Sequence, residues 1–394
     1  MKEKAKDYIN QINEILENSS CQSAGLMEGK SGLSLYYYVL YRVFREECYA
    51  QKSITLFNQA CADPEEITMS DSLSYSLGFG KAGLNDLANY YKKEAFFEVS
   101  EGPDSNEILL LKAKELIQQH NFDYLKGSIG IMHYFLRRNP DEEARSYVKL
   151  LIDELLKEAG ENNWGIYFES GDRDPNCKIC FGLIHGMAGI LIVLVKAYHY
   201  GAETEALKEL ILKTANFIMS YRQGVDILEG KYSFFPKYID SDGKPHFNSR
   251  LAWSDGDLGV AFTLYKVNEI LKSQSIAQMA EFTGLNTIMT FKNVLNRFNY
   301  RDIATKITDS NFKNGTAGVA HLYRKLYEMS GNRNYRESYE YWIGETLDYL
   351  SVELPNGHYK DKETSLLEGL PGIGLTLLSY ISEEELNWGE ILLL

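Results

Sequence analysis

Cysteine is sparse in this chain, with five residues (21, 48, 61, 177 and 180) among 394. The number is odd and the density low, which excludes a disulfide-built scaffold. Basic charge is short as well. Forty-one Lys and Arg face 55 Asp and Glu, a net charge of −14, so the footprint that phosphates need is missing and a nucleic-acid partner is excluded. The first residues are charged helix formers without a signal-peptide pattern. The longest uncharged apolar run, Ile179 to Val195, contains His185 and three glycines. It is short for a bilayer span and reads as a buried inner helix of a cytoplasmic, non-transmembrane protein. No Pro/Ser-rich linker divides residues 1–394, which read as one long domain.

What the chain has instead is a repeat. Seven Gly-x-x-Gly steps, Gly29–Gly32, Gly80–Gly83, Gly127–Gly130, Gly186–Gly189, Gly256–Gly259, Gly315–Gly318 and Gly369–Gly372, each open an apolar stretch. Their first glycines lie 51, 47, 59, 70, 59 and 54 residues apart. About 50 residues accommodate two helices and two connections, a unit too small to bury its own apolar face, so neighbours must stack. Segments such as Gly189–Lys196 are apolar nearly all round and belong in an interior. Between them run amphipathic segments at 106–120, 141–157, 204–221 and 336–352. In 141–157 the apolar Val148, Leu151, Ile152, Leu155 and Leu156 follow a helical period, with Asn139 as the expected cap and Pro140 at the first helical position. Alternating buried and amphipathic helices predict an all-α fold, an α/α toroid of seven inner and seven outer helices, with the glycine turns at one end. The 70-residue interval holds an irregular insertion at 224–249, read as a loop or β-hairpin over one face.

Three turns carry more than packing residues. Asp123 stands four residues before Gly127, His185 directly before Gly186, and Arg250 and Trp253 before Gly256. If the turns converge, Asp, His and Arg meet. His exchanges protons near neutral pH, Asp orients it, and Arg steadies a developing oxyanion. Singly, each has a plainer role: a helix cap, a satisfied buried imidazole, a salt bridge. Cys177-Lys-Ile-Cys180 precedes His185. A relocated zinc site on Cys177, Cys180 and His185 is a weaker alternative to two buried small apolar side chains.

The motifs Asp123-x-x-x-Gly127, His185-Gly-Met-Ala-Gly189, Arg250-x-x-Trp253-x-x-Gly256, Asn314-Gly-Thr-Ala-Gly318 and Leu367–Leu375 make the chain similar to the lanthionine synthetase C family over nearly its whole length. The resemblance implies the α/α toroid and a cyclase. A cysteine thiol of a precursor peptide adds to a dehydrated Ser or Thr, closing a thioether ring, with a lanthipeptide dehydratase as a possible partner. It also implies zinc, which activates the thiol in the best-known members. At the matching ligand positions stand Ser254, Lys313 and Asn314, none of them a zinc donor. The expectation is therefore a cyclase without cofactor. Asp123, His185, Arg250 and Trp253 are its catalytic set, and the ammonium of Lys313 partly replaces the metal's charge.

Two other readings stand beside it. One is a pseudo-cyclase that binds a peptide or a dehydratase without chemistry. The other is a carbohydrate-active α/α barrel using two carboxylates among Asp255, Asp257, Glu28 and Glu368.

Overall fold

The computed structural model describes residues 1–62, 71–98, 106–171, 177–202, 204–226, 229–248, 250–298 and 306–394. Each glycine step opens a helix. These are Lys30–Phe44, Lys81–Lys93, Ser128–Arg137, Met187–His199, Asp257–Leu271, Thr316–Ser330 and Leu370–Ile381. Seven further long helices alternate with them among the described residues: Lys2–Asn18, Glu47–Ala62, Asn106–Gln118, Glu142–Lys157, Glu205–Ser220, Gln274–Phe298 and Arg333–Glu353. The burial patterns separate the two kinds. Every residue from Met187 to Val195 is buried, whereas Glu142–Lys157 buries only Ala144, Val148, Leu151, Ile152 and Leu155. Burying one such aliphatic side chain contributes about 1.5–3 kcal/mol, so the all-round apolar helices are held inside by packing rather than by helix propensity.

The 141–157 segment departs from its expectation in two details. Its cap is Asp141, whose side chain accepts the Ala144 N–H at 2.7 Å, rather than Asn139. Leu156 is exposed, because the buried stripe ends one residue earlier.

The chain forms two compact units. One comprises residues 1–105, 308–324 and 336–394; the other comprises 106–307 and 325–335. In the first unit the Lys30–Phe44 helix packs on Glu47–Ala62, Lys81–Lys93 and Leu370–Ile381. Two of its buried tyrosines are satisfied: Tyr36 donates to Asn13 Oδ1 at 2.7 Å, and Tyr91 shares hydrogen bonds with Ser34 and Ser53. In the second unit Met187–His199 packs between Ser128–Arg137 and Asp257–Leu271, with Glu205–Ser220 against it.

Within each unit, backbone hydrogen bonds join neighbouring glycine turns. In the first, Met27 N–H donates to Gly78 at 2.8 Å, Leu366 to Met27 at 2.7 Å and Lys313 to Leu367 at 3.0 Å. In the second, Tyr124 donates to Ile184 at 2.7 Å and Ile184 to Ser254 at 3.3 Å. Residues two or three before each helix-starting glycine thus line up turn against turn. The glycine is required because the chain doubles back over it. A Cβ on Gly186 would overlap the Cys180 carbonyl, and Gly256 adopts φ +98°, a conformation suited to glycine.

The insertion forms the expected hairpin. Strand β4 (Pro236–Ile239) pairs antiparallel with β5 (Pro245–Phe247), and its other edge pairs with β3 (Ile179–Cys180). A second small ladder joins β1 (Gly160–Asn162) to β2 (Gly165–Tyr167). Positions 227, 228 and 249 of the insertion lie outside the described residues.

Candidate functional site

The turn before Gly127 fixes Asp123 in place. Asp123 Oδ1 accepts the Lys126 N–H at 2.6 Å, and its carbonyl accepts the Gly127 N–H at 3.0 Å. Asp123 therefore closes the turn that leads into the helix, whose N-cap is Gly127 without a side-chain cap bond. Its second oxygen does something else: Oδ2 lies 2.5 Å from His185 Nδ1. The carboxylate side chain is 6% exposed and the imidazole 54%. A buried carboxylate on Nδ1 favours the tautomer with Nδ1–H and leaves Nε2 as the proton acceptor. The pair is joined from below as well as across, since the Tyr124–Ile184 backbone bond ties the residues next to each partner.

Beneath this turn lies a group that the sequence reading missed. Tyr124 OH and His133 Nδ1 are 3.0 Å apart, and His133 is wholly buried in the Ser128–Arg137 helix. Burial, followed by the charges of Lys196 and Arg137, holds its pKa well below the ordinary histidine value. His133 is thus a neutral acceptor for the Tyr124 hydroxyl. The available signal was a polar residue inside the apolar run after Gly130.

Arg250 stands on the adjoining turn. Ile184 N–H reaches the Ser254 carbonyl, and Gly182 packs so closely on Ser254 and Asp255 that a Cβ would not fit without a shift. The Arg250 guanidinium lies 4.0 Å from Asp255 Oδ1, and Lys237 of the hairpin lies 3.8 Å from Oδ2. Neither pair is tight, so both cations keep donor capacity.

The other expected site residues have their own surroundings. Trp253 is wholly buried; its indole belongs to the core and offers nothing to a substrate arriving from solvent. Lys313 lies in the first unit with its Nζ 2.5 Å from Glu368 Oε1, so its ammonium is already countered. Asn314 donates its backbone N–H to Asn311 Oδ1 at 2.9 Å, and Ser254 is buried. A hydroxyl, an engaged ammonium and an amide do not make the thiolate–imidazole set that zinc takes. Among the described residues, no group of three or more His, Cys, Asp or Glu is placed to hold a metal ion. The Cys177 and Cys180 sulfurs are joined to each other in a disulfide, whereas the Cys177, Cys180 and His185 alternative requires them as thiolates.

The carboxylates of the sugar reading each have a setting of their own. Glu28 is exposed in the first unit, and Glu368 is taken by Lys313. Asp257 is buried and accepts the backbone N–H groups of Phe234 at 2.7 Å and Phe235 at 3.1 Å. Burial pushes its pKa up to about 7 against those two hydrogen bonds. Asp257 ties the base of the hairpin to the start of a helix. Its role is anchoring.

Comparison with known proteins adds four findings. The family model described as "Lanthionine synthetase C-like protein" matches residues 20–393. The solved structure "Nisin cyclase" superposes with a TM-score of 0.73 at 18% identity, covering 100% of this chain and 97% of that one. This match shows the fold class, the all-α toroid expected from the repeat. "Structure of Cellobiose 2-Epimerase from Bacillus thermoamylovorans B4167" gives 0.39 at 10% identity over 88% of this chain and 87% of that one, which carries no argument. No curated protein matches the sequence. Among the described residues, no helix is long and apolar enough to cross a membrane.

Proposed function

Because the chain belongs to the lanthionine synthetase C-like family, we propose that it is a peptide cyclase that works without zinc. Its substrate is a precursor peptide carrying cysteines and dehydrated Ser or Thr residues. The observation that carries the reading is the Asp123–His185 pair, a buried carboxylate 2.5 Å from a half-exposed imidazole. It lies beside a turn bearing a loosely engaged guanidinium, Arg250.

The chemistry follows from those groups. His185 Nε2 removes the proton from the peptide thiol, and Asp123 stabilises the imidazolium that forms. The thiolate sulfur bonds to the β-carbon of the dehydro residue. The C=C π pair moves onto the α-carbon and carbonyl oxygen, where Arg250 holds the developing enolate. His185 then returns its proton to the α-carbon, and the ring is closed with no atom gained or lost. A free thiol near pKa 8.5 is only about 3–10% ionised around pH 7–7.5, so a positioned base supplies much of what a metal would. A dehydratase would supply the substrate.

The test is a cyclisation assay on a dehydrated, cysteine-containing peptide, with free thiols counted by alkylation and mass spectrometry. The wild-type chain should close rings well above the rate of peptide alone. His185→Gln should lose about 10²- to 10⁴-fold. Wild-type protein no faster than buffer, yet binding the peptide, would leave the pseudo-cyclase reading. The absent zinc donor set is what favours that second reading.

A further inference from the structure

The segment that leads into His185 carries a chemistry the cyclisation does not use. Cys177 and Cys180 are joined as a disulfide. Cys180 pairs with Tyr238 in the β3–β4 ladder. On either side of it, Lys178 N–H donates to Ile239 at 2.8 Å and Phe181 N–H donates to Lys237 at 3.0 Å. The Cys180 carbonyl fills the space that a Cβ on Gly186 would need, and Gly186 follows His185 directly. The Cys180 carbonyl is thus packed against the residue that follows His185.

Access is unequal at the two sulfur-bearing residues. Cys177 is 4% exposed, whereas Cys180 is partly exposed, so an incoming thiol meets Cys180 first. The remaining cysteines offer no comparable pair: Cys21, Cys48 and Cys61 are free, and burial raises the Cys61 thiol to about 11. A C-x-x-C pair is the spacing at which thiol pKa falls and exchange is favoured.

We propose that Cys177–Cys180 is a thiol-exchange site whose oxidation state sets the placement of His185. The proposal deepens the cyclase reading and rests on it for its ligand, a cysteine-bearing peptide. In the first step a peptide thiolate attacks Cys180 Sγ. The peptide–Cys180 S–S bond forms, the Cys177–Cys180 bond breaks, and Cys177 leaves as a thiolate and takes up a proton. A second peptide thiolate resolves the mixed disulfide, leaving a peptide disulfide and the protein dithiol. Two electrons pass from two peptide thiols to the protein pair. A peptide pool with its cysteines reduced thereby opens the 177–180 link and releases the segment before His185.

The experiment uses the purified full chain equilibrated across a cysteine/cystine series, without any dehydrated peptide. Alkylation and mass spectrometry report the state of Cys177 and Cys180. The His185 imidazole resonances, assigned with His185→Gln on ¹⁵N-histidine-labelled protein, report its placement. The pair is expected to open across the series, with the His185 resonances moving in step with the fraction reduced. They should stay still in a Cys177→Ser/Cys180→Ser variant; should that variant not fold, the wild-type series alone decides. In Cys177→Ser, Cys180 should form a mixed disulfide with added cystine. A pair that keeps one state throughout, or His185 resonances that ignore its state, would overturn the proposal. Because neither readout needs turnover, failure of cyclisation leaves this test intact, and the reverse holds as well.

Discussion

Asp257 offers the sharpest test of how the hairpin base is held. Its buried carboxylate caps the Phe234 and Phe235 N–H groups at 2.7 and 3.1 Å, and burial raises its pKa from 3.8 to about 7. The sign of the effect follows from proton counting. Between pH 3.8 and 7 the folded chain keeps a proton at this site that the unfolded chain has released, so stability falls as pH rises through that window. Taking the two pKa values at face value, the site removes about 2–3 kcal/mol of unfolding free energy between pH 5 and pH 8. Above about pH 7 the loss levels off, because both states are then ionised. Asp257→Asn cannot ionise and lacks this slope, although its amide leaves one backbone N–H without an oxygen, a roughly constant cost of about 1–3 kcal/mol. Urea unfolding of both proteins at pH 5, 6, 7 and 8 isolates the site. The difference in stability between them should move by about 2–3 kcal/mol in favour of Asn from pH 5 to pH 8. Parallel pH dependences would refute the argument, since Asp257 would then have the same affinity for protons folded and unfolded.

Three further outcomes are expected. Gly186→Ala should destabilise by about 2–4 kcal/mol in thermal or urea unfolding, because the new methyl meets backbone, the Cys180 carbonyl, rather than a movable side chain; an unchanged Tm would contradict the packing. Glu353→Ala should cost about 2–4 kcal/mol, since it strands the Ser310 N–H and leaves the Ser310 and Tyr359 hydroxyls, which now converge on the carboxylate, with only each other. A cost within about 0.5 kcal/mol would mean that this buried cluster re-pairs freely. Lys313→Ala should leave the cyclisation rate within about twofold, because the ammonium is countered by Glu368 and its surface pairing is worth at most about 1 kcal/mol; a large loss in the peptide assay would restore Lys313 as a cationic stand-in for the metal.

The glycine register and the apolar runs after it were sufficient to place all seven inner helices. A helix that must be buried on every side needs apolar residues on every side, and that demand is written locally. The outer helices were legible for the same reason in a weaker form: one buried stripe leaves a period, though it misplaced Leu156 and the Asp141 cap, where one residue of phase or a competing capper decides the end. The placing of Asp123, His185 and Arg250 in the turns just before their glycines pointed to three candidates. What it could not supply was orientation. That Asp123 turns one oxygen to its own turn and the other to His185 depends on the Tyr124–Ile184 bond between segments 60 residues apart in sequence.

Residue type alone also could not show the surroundings of Trp253, Lys313 and Asp257. An indole, an ammonium and a carboxylate look equally ready for chemistry on a motif; burial put the first in the core, Glu368 countered the second, and two hairpin amides claimed the third. The Cys177–Cys180 link was hidden for a related reason, since a spacing of three permits a disulfide, a metal or two inert thiols. Fold class, helix order and the absence of zinc donors at the family positions were thus properties of the chain as written, because they depend on periodicity and side-chain chemistry. The partner of each polar side chain was decided only in three dimensions, because solvation and hydrogen-bond competition are set by neighbours distant in sequence.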